Sequence, residues 1–259
     1  MTLTHNQIVR SLQIFNHVLL IIGVLSCWFL NQWDWLLVSV YFYIITGMLG
    51  VNIGYHRLLS HRSFQTYKPI ENLLSLIGVV TTIGSPMAWS AIHRQHHKSA
   101  DKPDDPHSPY QLGKFRAWMG FWNYLPLSPK LIREMRKDRF QKFLHSYYLQ
   151  IVVVYCLILF AINPWLVIFG YAIPACLCLH STSSIIVIAH YHGYKLYQIN
   201  DQSRNSWIAH LMSLGEGWHN THHAKPYQWQ HGEKWWEIDP PSWIIRLIKI
   251  QSNNNKNLS

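Results

Sequence analysis

Residues 12–54 read LQIFNHVLLIIGVLSCWFLNQWDWLLVSVYFYIITGMLGVNIG and contain two long apolar runs. The runs cover residues 12–30 and 35–54, and each is close to the ~20 residues that a membrane-spanning helix needs. The four residues between them, NQWD at 31–34, have the composition of a tight turn. This stretch therefore predicts a hairpin of two transmembrane helices.

Two further apolar runs, residues 147–162 and 165–189, are separated only by an Asn-Pro turn. They predict a second hairpin, so we expect four transmembrane helices in one all-α domain, residues 1–259. A fifth apolar run, residues 70–89, has enough hydropathy to be counted as a span as well. If it crossed the membrane, the polar segments before and after it would lie on opposite sides.

The distribution of lysine and arginine decides between these topologies. Of the 22 basic residues, one precedes the first run, fourteen lie in residues 57–142 and seven in residues 195–256, whereas the two short turns contain none. Cytoplasmic loops carry the excess of Lys and Arg, so both termini and the segments 55–146 and 190–259 are predicted to be cytoplasmic or interfacial. Residues 70–89 are then interfacial or re-entrant and do not span.

Eight histidines form three clusters beyond the ends of the apolar runs, in the sequences HRLLSH, HRQHH and HNTHH. The pattern H-x-x-H-H, present twice, is expected on the order of 0.07 times in a shuffled chain of this composition. Residues three and four apart share a helix face, so each trio can serve one metal or a bridged pair, whereas the first pair, five apart, needs a helix end or a loop. The eight are His56, His61, His93, His96, His97, His219, His222 and His223.

All three clusters are predicted on the same cytoplasmic face, which indicates a two-metal site. Imidazole ligands suit iron, zinc, copper and nickel, and eight of them exceed what a four-coordinate structural zinc uses. The ligand set fits two irons. The chain has no flavin, haem or cysteine-cluster motif, because its four cysteines all lie within apolar runs, so electrons would come from a separate protein.

The three clusters in this order, with GEGWHNTHHAKP at 215–226 and WWEIDPPSWIIRLI at 235–248, resemble the integral-membrane fatty acyl desaturases, in particular the bacterial branch of the stearoyl-type enzymes. The resemblance extends over nearly the whole chain. It implies a di-iron centre that uses O2 and two electrons to place a cis double bond, often delta-9, in a saturated acyl chain. It also implies a ninth metal ligand, His190 in HYHG, with His192 as the competing candidate.

Polar side chains close to the clusters are candidates to orient the metal-bound imidazoles, since these commonly donate their second N–H to a carboxylate. The alternative is an ordinary solvated loop with Asp and Pro turns. Trp89, four residues before His93, is a candidate for the wall of the acyl channel, although an interfacial anchor is the more frequent role for such a residue. The polar candidates are Asp101, Asp104, Asp105, Glu216 and Asn220.

Two positions depart from the animal members of the family. Ile186 stands where those proteins have an asparagine linked to one metal through water, and Ala91-Ile92 replaces a charged pair that contacts the coenzyme A head group. The resemblance therefore leaves the acyl carrier open among acyl-lipid, acyl-CoA and acyl-ACP. The remaining isolated histidines are expected to have no role in the site: His5, His17, His145, His180, His210 and His231. His180 is the exception to watch, because a polar side chain inside a span tends to find a partner or a cavity.

The expected partners are the acyl substrate, membrane lipid and an electron donor of the ferredoxin or cytochrome b type. The basic run at residues 131–142 predicts an amphipathic helix for the membrane surface or for that donor, and the net charge of +10 gives no reason to expect nucleic acid. The expected location is the bacterial cytoplasmic membrane, with the site on its cytoplasmic side. Two alternatives are a membrane di-iron hydroxylase of an alkane, sterol or carotenoid, and a metal transporter, which the placement of the clusters at helix ends disfavours.

Overall fold

The computed structural model describes residues 4–122 and 128–250, and within these ranges it is helical, with isolated β-bridges and no strand. Short 3-10 turns at Pro129–Ile132 and Met135–Lys137 precede α7. The helices are α1 (His5–Leu30), α2 (Trp35–Ser60), α3 (Lys68–Val79), α4 (Pro86–Ser99), α5 (Pro109–Leu112), α6 (Lys114–Trp118), α7 (Arg139–Ser146), α8 (Tyr148–Ile162), α9 (Val167–Tyr191), α10 (Trp207–Met212), α11 (His219–Ala224) and α12 (Pro240–Ile248).

Helices α1, α2 and α9, of 26, 26 and 25 residues, are each long and apolar enough to cross a membrane. They contain three of the four predicted spans. The predicted third span is the 15-residue α8, about 22 Å long against a hydrocarbon core of about 30 Å. It makes a fourth crossing only together with α7, from which it is bent by 74°. The chain thus has three to four candidate spans.

The two short turns lie at one end of the long helices, and the histidine clusters lie at the other. At the turn end, Cys27 packs with Trp35, Trp165 and Phe169. At the opposite end, the first residue of α1, His5, accepts a hydrogen bond from the backbone N–H of Ser85, which precedes the histidine-bearing α4. This arrangement is the one expected of two hairpins.

The apolar run at residues 70–89 does not form one long helix. A turn over residues 80–85 divides it between α3, a helix of 12 residues, and the start of α4, a helix of 14 residues. Ser85 ends the turn by accepting a hydrogen bond from Ala88 N, and Pro86 supplies the first residue of α4. The run is therefore too short on either side of the turn to cross a bilayer as a helix.

Helix α3 packs against α2 at close range, because both helices have glycine at the contact. A Cβ atom on Gly50 would lie 2.7 Å from the backbone nitrogen of Gly78. The two backbones can approach this closely only because neither residue has a side chain.

The prediction of a single amphipathic helix over residues 131–142 is wrong. The segment is split between the two 3-10 turns and α7, and Asp138 separates them as the N-cap of α7, where it accepts hydrogen bonds from Phe140 N and Gln141 N. The side chain of Met135 is buried in a cluster with Met87 and other apolar residues, so this stretch is anchored by packing as well as lying on the surface.

Candidate metal centre

Four helices bring nine histidines to one place. His56 and His61 lie at the end of α2, α4 and α11 carry one H-x-x-H-H trio each, and His190 lies at the end of α9. Their ligand atoms form two groups, in each of which all atoms lie within 4.8 Å of one another. The five-histidine group comprises His56, His61, His93, His97 and His222, and the four-histidine group comprises His96, His190, His219 and His223.

The first pair converges because of an unusual helix type. From Ile44 to Ser60, α2 is a π-helix, in which hydrogen bonds join residues five apart. The backbone N–H of His61 donates to the carbonyl of His56 at 3.1 Å, which continues this pattern, and their ring centroids are 4.9 Å apart. The five-residue spacing, unfavourable on an α-helix, thus fits the helix that the chain forms.

Each H-x-x-H-H trio contributes to both groups. On α4 the outer two histidines belong to the five-histidine group and the middle one, His96, belongs to the other. On α11 the assignment is reversed, and only the middle histidine, His222, belongs to the five-histidine group. Each trio is therefore divided between the two groups. This division corresponds to the alternative in which a trio serves a pair of metals rather than one.

In the five-histidine group the Nε2 atoms point towards one another. The Nε2 of His222 lies 3.0 Å from that of His56 and 3.0 Å from that of His97. The corresponding distance between His61 and His93 is 2.6 Å. In the four-histidine group, two such distances are 3.1 and 3.2 Å.

Two of the predicted aspartates face the outer nitrogens of the four-histidine group. His96 Nδ1 lies 2.8 Å from Asp105, and His190 Nδ1 lies 3.1 Å from Asp101. Burial raises the pKa of Asp105, but the adjacent His96 outweighs it, and the net pKa lies below the ordinary value. Both carboxylates are therefore placed, as anions, to accept a hydrogen bond from the Nδ1–H group, which fixes the orientation of the ring.

Two more carboxylates complete this pattern, and one of them was not predicted. His56 Nδ1 lies 2.8 Å from Glu216, a predicted candidate, and His223 Nδ1 lies 2.9 Å from Asp201. Asp201 lies in a loop with no histidine nearby in sequence, so only the tertiary structure brings it to the site. No sequence signal marked it.

The donor set fits metal ions. His96 and His223 both direct Nδ1 to a carboxylate, so that in the neutral rings each Nε2 carries a lone pair, and these two nitrogens face each other at 3.2 Å. Such an arrangement is repulsive unless a cation lies between them. Metal–imidazole bonds of about 2.1 Å let two nitrogens roughly 3 Å apart reach one ion, and the five Nε2–Nε2 distances in the two groups are 2.6 to 3.2 Å.

The electrostatics of the site also suit cations. Burial and then the neighbouring imidazoles lower the pKa of His93, His97 and His219 well below the ordinary value. These rings are therefore neutral at pH 7, which is the state that binds metal. The negative charge comes from the carboxylates behind the rings.

Glu216 is itself held by a fully buried arginine, Arg57, next to His56. The guanidinium lies 2.8 Å from Glu216 and 2.9 Å from Asp239, and it also donates to the carbonyl of Trp229. This contact gives the WWEIDPP sequence a structural role, since its Asp239 ties the C-terminal segment to the end of α2. The HRLLSH motif thus contributes a structural arginine as well as two histidines.

An apolar cavity borders both histidine groups. Its walls include His56 and His93 on one side, Ile185 and Ile186 of α9 on the other, and Trp89. Trp89, the candidate for the wall of an acyl channel, lines this cavity with its ring stacked on His93 at a centroid distance of 4.8 Å. Ile186, at the position where the animal members of the family have asparagine, makes this part of the cavity wall apolar.

Three other candidates lie outside this set of contacts. Asp104 is exposed, and Asn220 uses its side-chain oxygen to accept from the backbone N–H groups of Leu196 and Tyr197. His192 is exposed and belongs to neither group, whereas His190 is 1% exposed. The side-chain hydrogen bonds of Asn220 are therefore to the backbone of a loop, which they position.

Two of the histidines for which no role was expected have contacts worth reporting. His180 of α9 contacts His17 of α1, with 3.1 Å between their Nε2 atoms. A polar side chain inside a candidate span is thus paired with one on a neighbouring helix. His231 is buried beside the five-histidine group. The position of His180 inside an apolar run had marked it in the sequence, whereas nothing in the sequence distinguished His231 from an ordinary surface histidine.

Comparison with known proteins identifies the family. Residues 7–243 match the family model described as fatty acid desaturase. The chain belongs to the fatty acid desaturase family. This desaturase is 34% identical to the sn-1 stearoyl-lipid 9-desaturase of Anabaena variabilis, over 88% of the chain and 86% of the relative. It is 35% identical to the Synechocystis enzyme of the same name, over 86% and 72%, and 33% identical to the sn-2 palmitoyl-lipid 9-desaturase of a Nostoc strain, over 88% and 82%.

The comparisons confirm the resemblance recognised from the histidine clusters. The desaturase is an oxidoreductase, and its long apolar helices suit a multi-pass membrane protein.

Proposed function

We propose that the desaturase introduces a cis double bond at the delta-9 position of a saturated acyl chain carried on a glycerolipid, using O2 and two iron ions held by the nine histidines. This proposal rests on the two groups of histidines, whose Nε2 atoms converge beside an apolar cavity. The names of the most similar relatives, stearoyl-lipid and palmitoyl-lipid 9-desaturases, support the position and the substrate class.

The chemistry requires strong oxidation in a dry site. Removing two hydrogens from an alkyl chain with O2, two electrons and two protons yields the alkene and two waters. Bound iron would supply the activation of O2 that no side chain here can provide. The protein's own residues hold and orient the ligands, and the apolar wall of Ile185, Ile186 and Val51 excludes water so that oxidation is directed at carbon.

The surface next to the cavity favours a lipid-bound acyl chain. Ile92 lines both the cavity and a surface groove, whose other walls include Ala91, Ile132 and, among the described residues, one Arg or Lys side chain, that of Arg136. An acyl chain entering past Ile92 would leave its head group in this mainly apolar groove. A glycerolipid head group suits it better than coenzyme A, whose several phosphates call for several cations.

We further propose four membrane crossings, with α7 and α8 together forming the third and with both termini and the metal centre on the cytoplasmic side of a bacterial membrane. The distribution of Lys and Arg supports this orientation. A separate carrier, a ferredoxin or a cytochrome b-type protein, would deliver the two electrons. His61 and His97 are only partly buried, so this edge of the centre is the place where a carrier can approach.

Fatty-acid profiling of a bacterial host that lacks its own desaturase and expresses this chain tests the proposal. We expect chains lighter by two hydrogens, with the double bond at delta-9 and in the lipid fraction. A product heavier by one oxygen would instead establish the hydroxylase alternative. Purified protein should contain two irons per chain, and a product without iron would contradict the assignment of the centre.

Replacing His97 or His190 by alanine should abolish the product and lower the iron content while membrane insertion is retained. Each residue supplies one Nε2, and one residue is taken from each group. His192→Ala is the matched control, because His192 is exposed and belongs to neither group. Full activity of either ligand variant would remove that residue from the ligand set.

A further inference from the structure

We infer that His231 is a positioning residue of the five-histidine group, which acts on the metal through Glu216 and His222. This inference rests on the proposed di-iron function and adds a tenth histidine that does not itself bind metal. The ring nitrogens of His231 belong to neither histidine group.

His231 is held in place by its backbone. Its N–H donates to Asp239 at 2.7 Å, the same carboxylate that pairs with Arg57. The side chain is 1% exposed. The arginine, its carboxylate and the histidine thus form one fixed unit behind α2.

The ring of His231 lies against two members of the five-histidine group. The ring centroids are 4.5 Å apart for His231 and His222, and 5.6 Å apart for His231 and His56. Nδ1 of His231 is 3.4 Å from Oε2 of Glu216, and this oxygen is also 2.8 Å from Nδ1 of His56. One carboxylate oxygen therefore lies between a ring that is expected to bind metal and a ring that is not.

The polar atoms at this spot are only partly satisfied by the protein. Among the described residues, both ring nitrogens of His231 and Nδ1 of His222 are buried without a hydrogen-bond partner. Burying such groups costs about 1–3 kcal/mol each, so an apolar side chain at position 231 would stabilise the fold better. An imidazole there is explained if it interacts with the metal-bound form of the site.

The proposed role follows from this geometry. When a metal fixes the Nε2 atoms of His56 and His222, a proton on Nδ1 of His231 can be donated to Glu216. That bond would keep Glu216 directed at His56 and prevent the carboxylate from turning towards the metal, while the ring itself limits rotation of His222. Partners of this kind typically change metal affinity or activity by about 10- to 100-fold.

The experiment compares His231→Leu with His231→Asn, which have nearly the same size, in full-length protein loaded with 57Fe. Asn can present an N–H close to the position of Nδ1, whereas Leu cannot. We expect His231→Leu to alter the Mössbauer signal of one iron, to leave the other unchanged, and to weaken iron binding about tenfold or more. His231→Asn should restore both properties at least in part.

His210→Leu is the matched control, because His210 is also buried, also has an unpartnered Nδ1, and contacts Trp218 rather than the centre. It should leave both iron signals unchanged. If His231→Leu does not fold, as judged by thermal melting without iron, His231→Ala, which removes the ring alone, tests the same contact and should alter the same signal.

Wild-type signals and iron affinity in His231→Leu, or equal changes at both irons, would overturn the inference. Either result would leave the proposed function intact if the wild-type protein contains two irons and forms the alkene. Absence of iron or alkene in the wild type would instead contradict the proposed function itself. The two failures are therefore distinguishable.

Discussion

At the scale of single residues, the two nitrogens of each imidazole have different tasks. Nε2 points into a group, and in four of the nine rings Nδ1 faces a carboxylate. The carboxylates come from separate parts of the chain, since Asp101 and Asp105 follow α4, Asp201 lies after α9 and Glu216 precedes α11. The orientation of the rings is thus set by loops as well as by helices.

Asp201→Ala should weaken iron binding and lower turnover by about 10- to 100-fold, because His223 loses the carboxylate that fixes its ring. Asp201→Asn should have a smaller effect, since it keeps an acceptor. Iron content and product formation measure both. Asp104→Ala is the matched control and should resemble the wild type, because Asp104 is exposed; an equal loss in both alanine variants would contradict this role of Asp201.

At the scale of helices, sequence spacing predicted which histidines share a face but could not predict how a trio is divided. The division depends on the angle at which α4 and α11 meet, which is a tertiary property. The π-helical part of α2 was likewise unpredictable from hydropathy, because its apolar residues suit either helix type. The third predicted span, residues 147–162, coincides with α8, whereas the 74° bend that separates α8 from α7 could not be read from hydropathy.

Gly50→Ala should destabilise the desaturase by about 1–3 kcal/mol, because the new Cβ meets the backbone of α3 at 2.7 Å and α2 must move. Gly170→Ala is the matched control, since its nearest contact is a Phe42 side chain at 3.4 Å. Both variants gain the same helix propensity, so the difference in melting temperature in detergent isolates the packing effect. Equal melting temperatures would argue against close packing of α2 and α3.

At the scale of the whole molecule, positive charge lies next to the exposed edge of the centre. Arg62 and Lys98 directly follow His61 and His97, both are exposed, and within the described ranges neither has an acidic partner at ion-pair distance. This edge therefore suits an acidic electron carrier better than the segment 131–142, which the sequence suggested and which is divided and partly packed into the core.

The double variant Arg62→Glu and Lys98→Glu should slow reduction of the iron by an acidic ferredoxin about tenfold or more at low salt, because charge attraction speeds association. Reduction by dithionite should be unchanged, and high salt should lessen the difference. Stopped-flow absorbance measures each rate. Lys137→Glu, in the alternative segment, is the control, and a larger effect there would place the carrier on the other surface.

The sharing of α4 and α11 between the two groups has a consequence for assembly of the cofactor. Because α4 and α11 contribute histidines to both groups, the first ion to bind one group would also bring three histidines of the other group into register. Half-filled protein should consequently be scarce during a titration, and the pair of ions should enter and leave as a cooperative unit.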